Sequence, residues 1–146
     1  MKRFALSFSL SLLLLNVGTN AQNNRTANDD PSAVRSTVRN YIEAYYSGDA
    51  PRMEQTLHPH YLKHMIHNRA PMREKTALQM VSEVRSQQGP PADIPQTERT
   101  EEISVLDVSG DIASAKLTTP HWVDYMTLAK WEGEWKILSV VQRIDN

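Results

Sequence analysis

The last third of the chain sets the tightest limit on its fold. From Thr97 onward four stretches follow one another, EISVLDV, IASAKLT, HWVDYMTLAKW and WKILSVVQRI, all rich in β-branched and aromatic residues. The turn Ser109-Gly110-Asp111 separates the first pair and Glu132-Gly133-Glu134 the last, and turns this short join antiparallel neighbours. Four strands in a meander are therefore expected. A sheet of this kind has one face that must be covered.

The material to cover it lies upstream. Val34, Val38, Tyr41, Ile42 and Tyr45 recur at helical spacing, Asp30-Pro31 offers an N-cap and a first-turn proline, and Gly48 ends the run. Asp49 or Ala50 caps a short second helix with Pro51 near its start and Met53 and Leu57 on one face, ending near His58-Pro59. A third helix fits Thr76 to about Arg85. There Thr76 and Gln79 match a capping box, and Gly89-Pro90-Pro91 terminates the element. Helices first and an antiparallel sheet afterwards define an α+β fold, with three N-terminal helices on one face of a curved sheet. With 146 residues and no internal repeat, the chain has room for a single domain.

The first residues, MKRFALSFSLSLLLLNVGTNA, have a basic start, an apolar run from Phe4 to Leu15 interrupted by serines, and small residues at Thr19 and Ala21. That pattern reads as a signal peptide over 1–21, cleaved on export to the periplasm or the extracellular space. The run is too short for a spanning helix, which needs about 20 apolar residues. Residues 22–30, QNNRTANDD, carry no apolar side chain larger than alanine and read as a flexible linker, so the domain is expected over 31–146. The absence of cysteine rules out a disulfide framework, so packing alone holds the domain. Once Lys2 and Arg3 are removed, 14 of the 16 basic residues remain against 17 acidic ones. Neither a nucleic-acid partner nor a membrane surface suits that balance. A small molecule or another protein does.

Three stretches together resemble a known family: YIEAYYSGDAPRMEQTLHPHYLKHMI, the hairpin SGDIASAKL, and VDYMTLAKWEGEWKILSV. They are similar to the lumazine-binding group of the nuclear transport factor 2-like superfamily, over about Val34 to Val141. The resemblance implies a cone in which a bent sheet wraps the helices and leaves a pocket at the open end. It also implies a homodimer packed through the outer face of the sheet. The superfamily hosts enzymes, ligand binders and association modules on this one fold, so the fold alone does not decide the function.

LHPHYLKHMIH, residues 57–67, holds four of the five histidines. On a helix His60, His64 and His67 would share one face and make a plausible zinc site. Pro59 opposes that helix, and the resemblance places Leu62 to Ile66 on a strand, where successive side chains alternate and the imidazoles separate. No metal site and no cofactor are expected. His64, next to Lys63, remains as a donor for an anionic or carbonyl-bearing ligand.

The ketosteroid isomerases of the same superfamily pair a carboxylate base with a tyrosine and a protonated aspartate. Counted from the Gly48-Asp49 helix stop, Tyr41 falls at the tyrosine, but the base falls at about Met65 and the acid near Thr127, and neither residue can serve. Asp124-Tyr125 is an acid–aromatic pair on one strand whose members face opposite ways. With Tyr125 and Val123 inward, Trp122 and Asp124 are expected outward. No nucleophile elbow or phosphate-cradling glycine loop is present.

The residues that remain point to binding without catalysis, at a pocket formed by Tyr41, Tyr45, Lys63, His64, Met65 and Tyr125. An aromatic, largely apolar cone with one or two polar groups suits a flat heterocycle. Two alternatives stay open: an isomerase or dehydratase using Tyr41 and His64, and a dimerisation module whose cone is filled by side chains.

Overall fold

The computed structural model describes the backbone of residues 20–144 apart from residue 69, with side chains from Asp29 onward. In chain order it has α1 (Asn20–Ser47), α2 (Ala50–Thr56), β1 (Leu57–His67), β2 (Arg73–Thr76) and α3 (Ala77–Ser86), then a short 3-10 turn (Gln96–Glu98). Strands β3 (Glu102–Ser109), β4 (Ile112–Thr118), β5 (Trp122–Trp131) and β6 (Glu134–Ile144) complete it. The four-strand meander and the three helices are as the sequence implies, and the class is α+β. No helix among the described residues is long and apolar enough to cross a membrane. The expected signal peptide, residues 1–21, falls almost wholly outside the described residues.

The sheet has six strands in the order β2-β1-β6-β5-β4-β3, and β1 runs parallel to β6 while every other pair is antiparallel. It is therefore a mixed sheet. Register shifts between Leu57 and Leu62, between Val105 and Asp107, and between Thr127 and Leu128 interrupt the ladders, and such irregularities bend and twist the strands that carry them. The concave face holds α1 against β3, β4 and β6, with α3 against β1 and β2. Val34, Val38, Ile42, Met53, Leu117, Leu128, Ile137 and Val140 are buried in the core between them.

Two local expectations change. The backbone of α1 is helical from Asn20, and Pro31 lies inside the helix instead of opening it. Asp30 serves a different partner from the expected cap: its carboxylate accepts from Lys130 Nζ at 2.9 Å and from the Trp135 indole N–H at 3.1 Å. These bonds hold its pKa below the ordinary carboxylate value and tie the helix to the β5–β6 hairpin. The other change is that β1 begins directly at Leu57, so His58-Pro59 starts a strand where a helix end was expected.

The caps of the other two helices follow the sequence closely. Asp49 Oδ1 accepts from the Arg52 N–H at 3.0 Å to start α2. Thr76 and Gln79 form the reciprocal capping box of α3. Between α1 and α2, Gly48 has φ +72° and packs directly on the backbone of Gly89, so that a Cβ at residue 48 would lie 2.4 Å from the Gly89 carbonyl oxygen. This contact fixes the end of α1 against the loop that follows α3.

Gly48→Ala is expected to destabilise the protein by well over the roughly 1 kcal/mol that a positive φ alone costs alanine. Gly110→Ala, at φ +59° with nothing within 4 Å of its Cβ, is the control. Urea denaturation of both variants checks it, and equal losses would show that the Gly89 contact carries no weight.

Candidate functional site

Alternation along β1 decides which of the candidate residues reach the interior. Tyr61, Lys63 and Met65 are buried on the inner side, while His64 is partly exposed and Ile66 exposed on the other. On β5 Asp124, Met126 and Leu128 are buried and Tyr125 is 53% exposed. On β6 Val140 and Gln142 face in and Val141 and Arg143 face out. Register then sets Asp124 between Leu117 of β4 and Gln142 of β6. Lys63 lies one strand further, beside Val140.

At this point in the interior, beneath α1, sits a buried ion pair. Lys63 is 4% and Asp124 0% exposed, and Lys63 Nζ stands 3.6 Å from Asp124 Oδ2. The same ammonium donates to the Tyr41 hydroxyl at 3.1 Å. Neither carboxylate oxygen of Asp124 has a hydrogen bond among the described residues. Burial therefore raises the pKa of Asp124. The Lys63 ammonium opposes that rise, as do the Gln142 amide and the Trp122 indole N–H, which lie near but short of hydrogen-bonding geometry. Burial, and then the charge of Asp124, raise Tyr41 well above an ordinary phenol. Tyr61, beside it, is raised for the same first reason, and Tyr45 is pushed up to about 12. All three are hydroxyl donors at neutral pH.

Above the pair opens a cavity of about 380 Å³, within the range that small-molecule sites occupy. Tyr41, Lys63 and Gln142 reach its floor, Ile42, Tyr45, Met65, Met80, Ile94, Trp122 and Ile144 give it a mostly apolar wall, and Arg73, Lys75, Glu83, Asp93 and His121 complete the lining. The Tyr45 and Trp122 rings meet edge to face with centroids 5.7 Å apart. A β4–β5 turn holds His121 in place, where Thr119 Oγ1 accepts from the His121 and Trp122 N–H groups, and His121 Nε2 reaches Glu98 at 2.9 Å. Lys75 pairs with Glu83. A larger open groove lies between α1, α2 and the β5–β6 hairpin, but its cations Arg52, Lys130 and Lys136 are already paired with Glu43, Asp30 and Glu134. Among the described residues that line it, none has a buried polar side-chain atom without a partner.

Four of the six expected residues, Tyr41, Tyr45, Lys63 and Met65, line this one cavity. The other two do not. His64 lies on the opposite side of β1, where its Nε2 meets Glu74 Oε1 at 3.1 Å across the β1–β2 ladder. Tyr125 projects from the outer face under the Lys116 ammonium, 5.8 Å from its ring centroid. The facing of β5 is thus the reverse of that expected: Asp124 faces in and Tyr125 out. Asp124, Trp122, Gln142 and His121 join the site in their place. The histidines of 57–67 disperse along the strand. His58 is buried edge-on against Trp131, its Nδ1 accepting from the His60 N–H at 3.0 Å, and burial lowers its pKa. Among the described residues no three histidine, aspartate or glutamate side chains gather at one point.

The fold is that of the nuclear transport factor 2-like, or cystatin-like, proteins. An NTF2-like protein of unknown function from Silicibacter pomeroyi DSS-3 superposes with a TM-score of 0.66 at 20% identity, over 82% of this chain and 98% of that one. A second such protein, from Shewanella baltica OS155, gives 0.61 at 15% identity over 88% and 98%. A ketosteroid isomerase-like protein from Erwinia carotovora atroseptica SCRI1043 gives 0.59 at 15% identity over 82% and 98%. Residues 29–142 match the family described as "Putative lumazine-binding", and the chain belongs to it. No curated protein matches the chain.

Breaking the buried pair from either side leaves an unpaired charge in the interior. Lys63→Met and Asp124→Leu are each expected to destabilise by about 3–5 kcal/mol, and the double variant by clearly less than the sum. Chemical denaturation of the four proteins checks it. Additive losses would mean that the two charges do not stabilise one another.

Proposed function

We propose that this is an exported domain that binds a small organic molecule in the cavity above Lys63 and Asp124, without catalysing a reaction on it. The observation that carries the reading is the cavity itself: aromatic and aliphatic walls over a floor with few, fixed polar groups. Membership of the lumazine-binding family supports a small-molecule ligand. The enzymatic alternative built on Tyr41 and His64 finds less support, because the two side chains lie on opposite sides of β1 and cannot act on one atom.

Export is supported by the leader-like residues 1–21. A homodimer through the outer face of the sheet is supported by Ile66, Tyr125 and Val141, large apolar side chains left exposed on three strands, with Tyr125 directly opposite Val141.

One experiment addresses all three parts: native mass spectrometry of the protein expressed with its full leader and purified from the exported fraction. The expected result is a dimer of chains beginning at Gln22, each retaining a small molecule that is released on denaturation. A monomer would remove the dimer, a retained leader would remove cleavage, and a protein with no ligand that also fails to take one up from an extract would remove the binding reading.

A further inference from the structure

The floor of the cavity is rich in donors and poor in acceptors. Lys63 brings an ammonium, Tyr41 a hydroxyl, Gln142 an amide, and Trp122 a buried indole N–H without a hydrogen-bond partner among the described residues. The strong acceptor in reach, Asp124, stands behind them, wholly buried and without a hydrogen bond. Its distance of 3.6 Å leaves the Lys63 ammonium attracted but not hydrogen-bonded by its counter-charge. An oxygen bearing negative charge, entering from the cavity side, would give the Trp122 N–H an acceptor and Lys63 a charged one beside the Tyr41 hydroxyl to which it already donates. Tyr45, Met65, Met80, Ile94 and Ile144 leave a mostly apolar space for the body behind such an oxygen. At the mouth Lys75 is paired with Glu83, while Arg73 and Asp93, of opposite charge, also line the cavity.

An anion placed there puts two negative groups around one buried ammonium. Asp124 is the group that gives way. Around it stand Tyr41 and Tyr46 of α1, Tyr61 and Lys63 of β1, Trp122 of its own strand and Gln142 of β6, and of these Lys63 alone carries positive charge. Burial already favours the neutral acid.

We propose that the cavity takes a small aromatic carboxylate, whose anion replaces Asp124 as the partner of Lys63 while Asp124 takes up one proton from solvent. This rests on the ligand-binding reading of the same cavity and adds to it the charge of the ligand and the proton that travels with it. Linkage fixes the sign: affinity falls as pH rises through the titration of Asp124, because the proton that binding requires becomes harder to obtain.

The test is calorimetry on the full mature chain with 2-naphthoate and its neutral isostere 2-naphthamide, from about pH 5 to about pH 9, in paired buffers of different ionisation heat. The carboxylate is expected to bind at least about tenfold more tightly than the amide, close to 1.4 kcal/mol, with affinity declining and proton uptake approaching one as pH rises. Asp124→Asn should bind the carboxylate without uptake and without the decline. Equal or tighter binding of the amide, or carboxylate binding with no proton uptake at any pH, overturns the proposal and leaves the cavity reading standing. Failure of both probes also overturns it, and mass spectrometry that finds the cavity empty as well removes the ligand-binding reading. Should Asp124→Asn fail to fold, the paired-buffer measurement on the natural protein decides alone.

Discussion

A carboxylate with no exposed surface, held 3.6 Å from an equally buried ammonium, is the contact on which this interior depends. Taking either charge out of water alone costs several kcal/mol, and only the partner offsets it. The pair therefore constrains everything around it. Strand β1 must run parallel to β6 in the register that sets Lys63 beside Val140, and β5 must turn its Trp122–Asp124–Met126 side inward. Helix α1 must present Tyr41 to the ammonium. A slip of one residue in β1 would turn Lys63 outward and bring His64 or Leu62 in, leaving Asp124 unpaired.

The same geometry explains why the floor of the cavity is polar. Tyr41, Tyr61, Lys63, Asp124, Gln142 and the Trp122 N–H concentrate polar atoms beneath α1, while Met65, Met80, Ile94 and Ile144 supply the apolar part of the lining. Gly48, packed on the backbone of Gly89, brings the end of α1 to the loop that carries Asp93 and Ile94. Arg99 holds that loop in turn by donating to the carbonyls of Pro91 and Ile94. The wall of the site is thus fixed by contacts that lie outside it.

Much of the fold was legible because local chemistry dictates it. The glycine turns at 110 and 133 space the meander, Asp49 and the Thr76–Gln79 box start two helices, and the Val34–Val38–Tyr41–Ile42 stripe lies where helical periodicity puts it. What escaped depends on distant partners. Arg73–Thr76, REKT, carries no apolar side chain, and its strand exists because β1 offers it an edge. The parallel β1–β6 pairing has no local signal either. On β5 both alternating sets contain apolar residues, Met126 and Leu128 in one, Val123 and Tyr125 in the other, so alternation alone does not set the facing, and an acid is normally placed outward. The lysine that reverses this lies 61 positions away in sequence. Four of the six expected residues nonetheless line one cavity, because Tyr41 and Tyr45 follow from helix periodicity and Lys63 and Met65 share one side of a strand.

The most direct check on this account is the titration of Asp124 itself. Carbon-13 NMR of the aspartate carboxyls, with Asp124 assigned by its loss in Asp124→Asn, reads it in the natural protein. Burial should carry the Asp124 transition clearly above the ordinary aspartate value of about 3.9. A transition at or below that value would mean that the Lys63 ammonium and the other donors outweigh burial, and would contradict an Asp124 that is short of hydrogen bonds and ready to take up a proton.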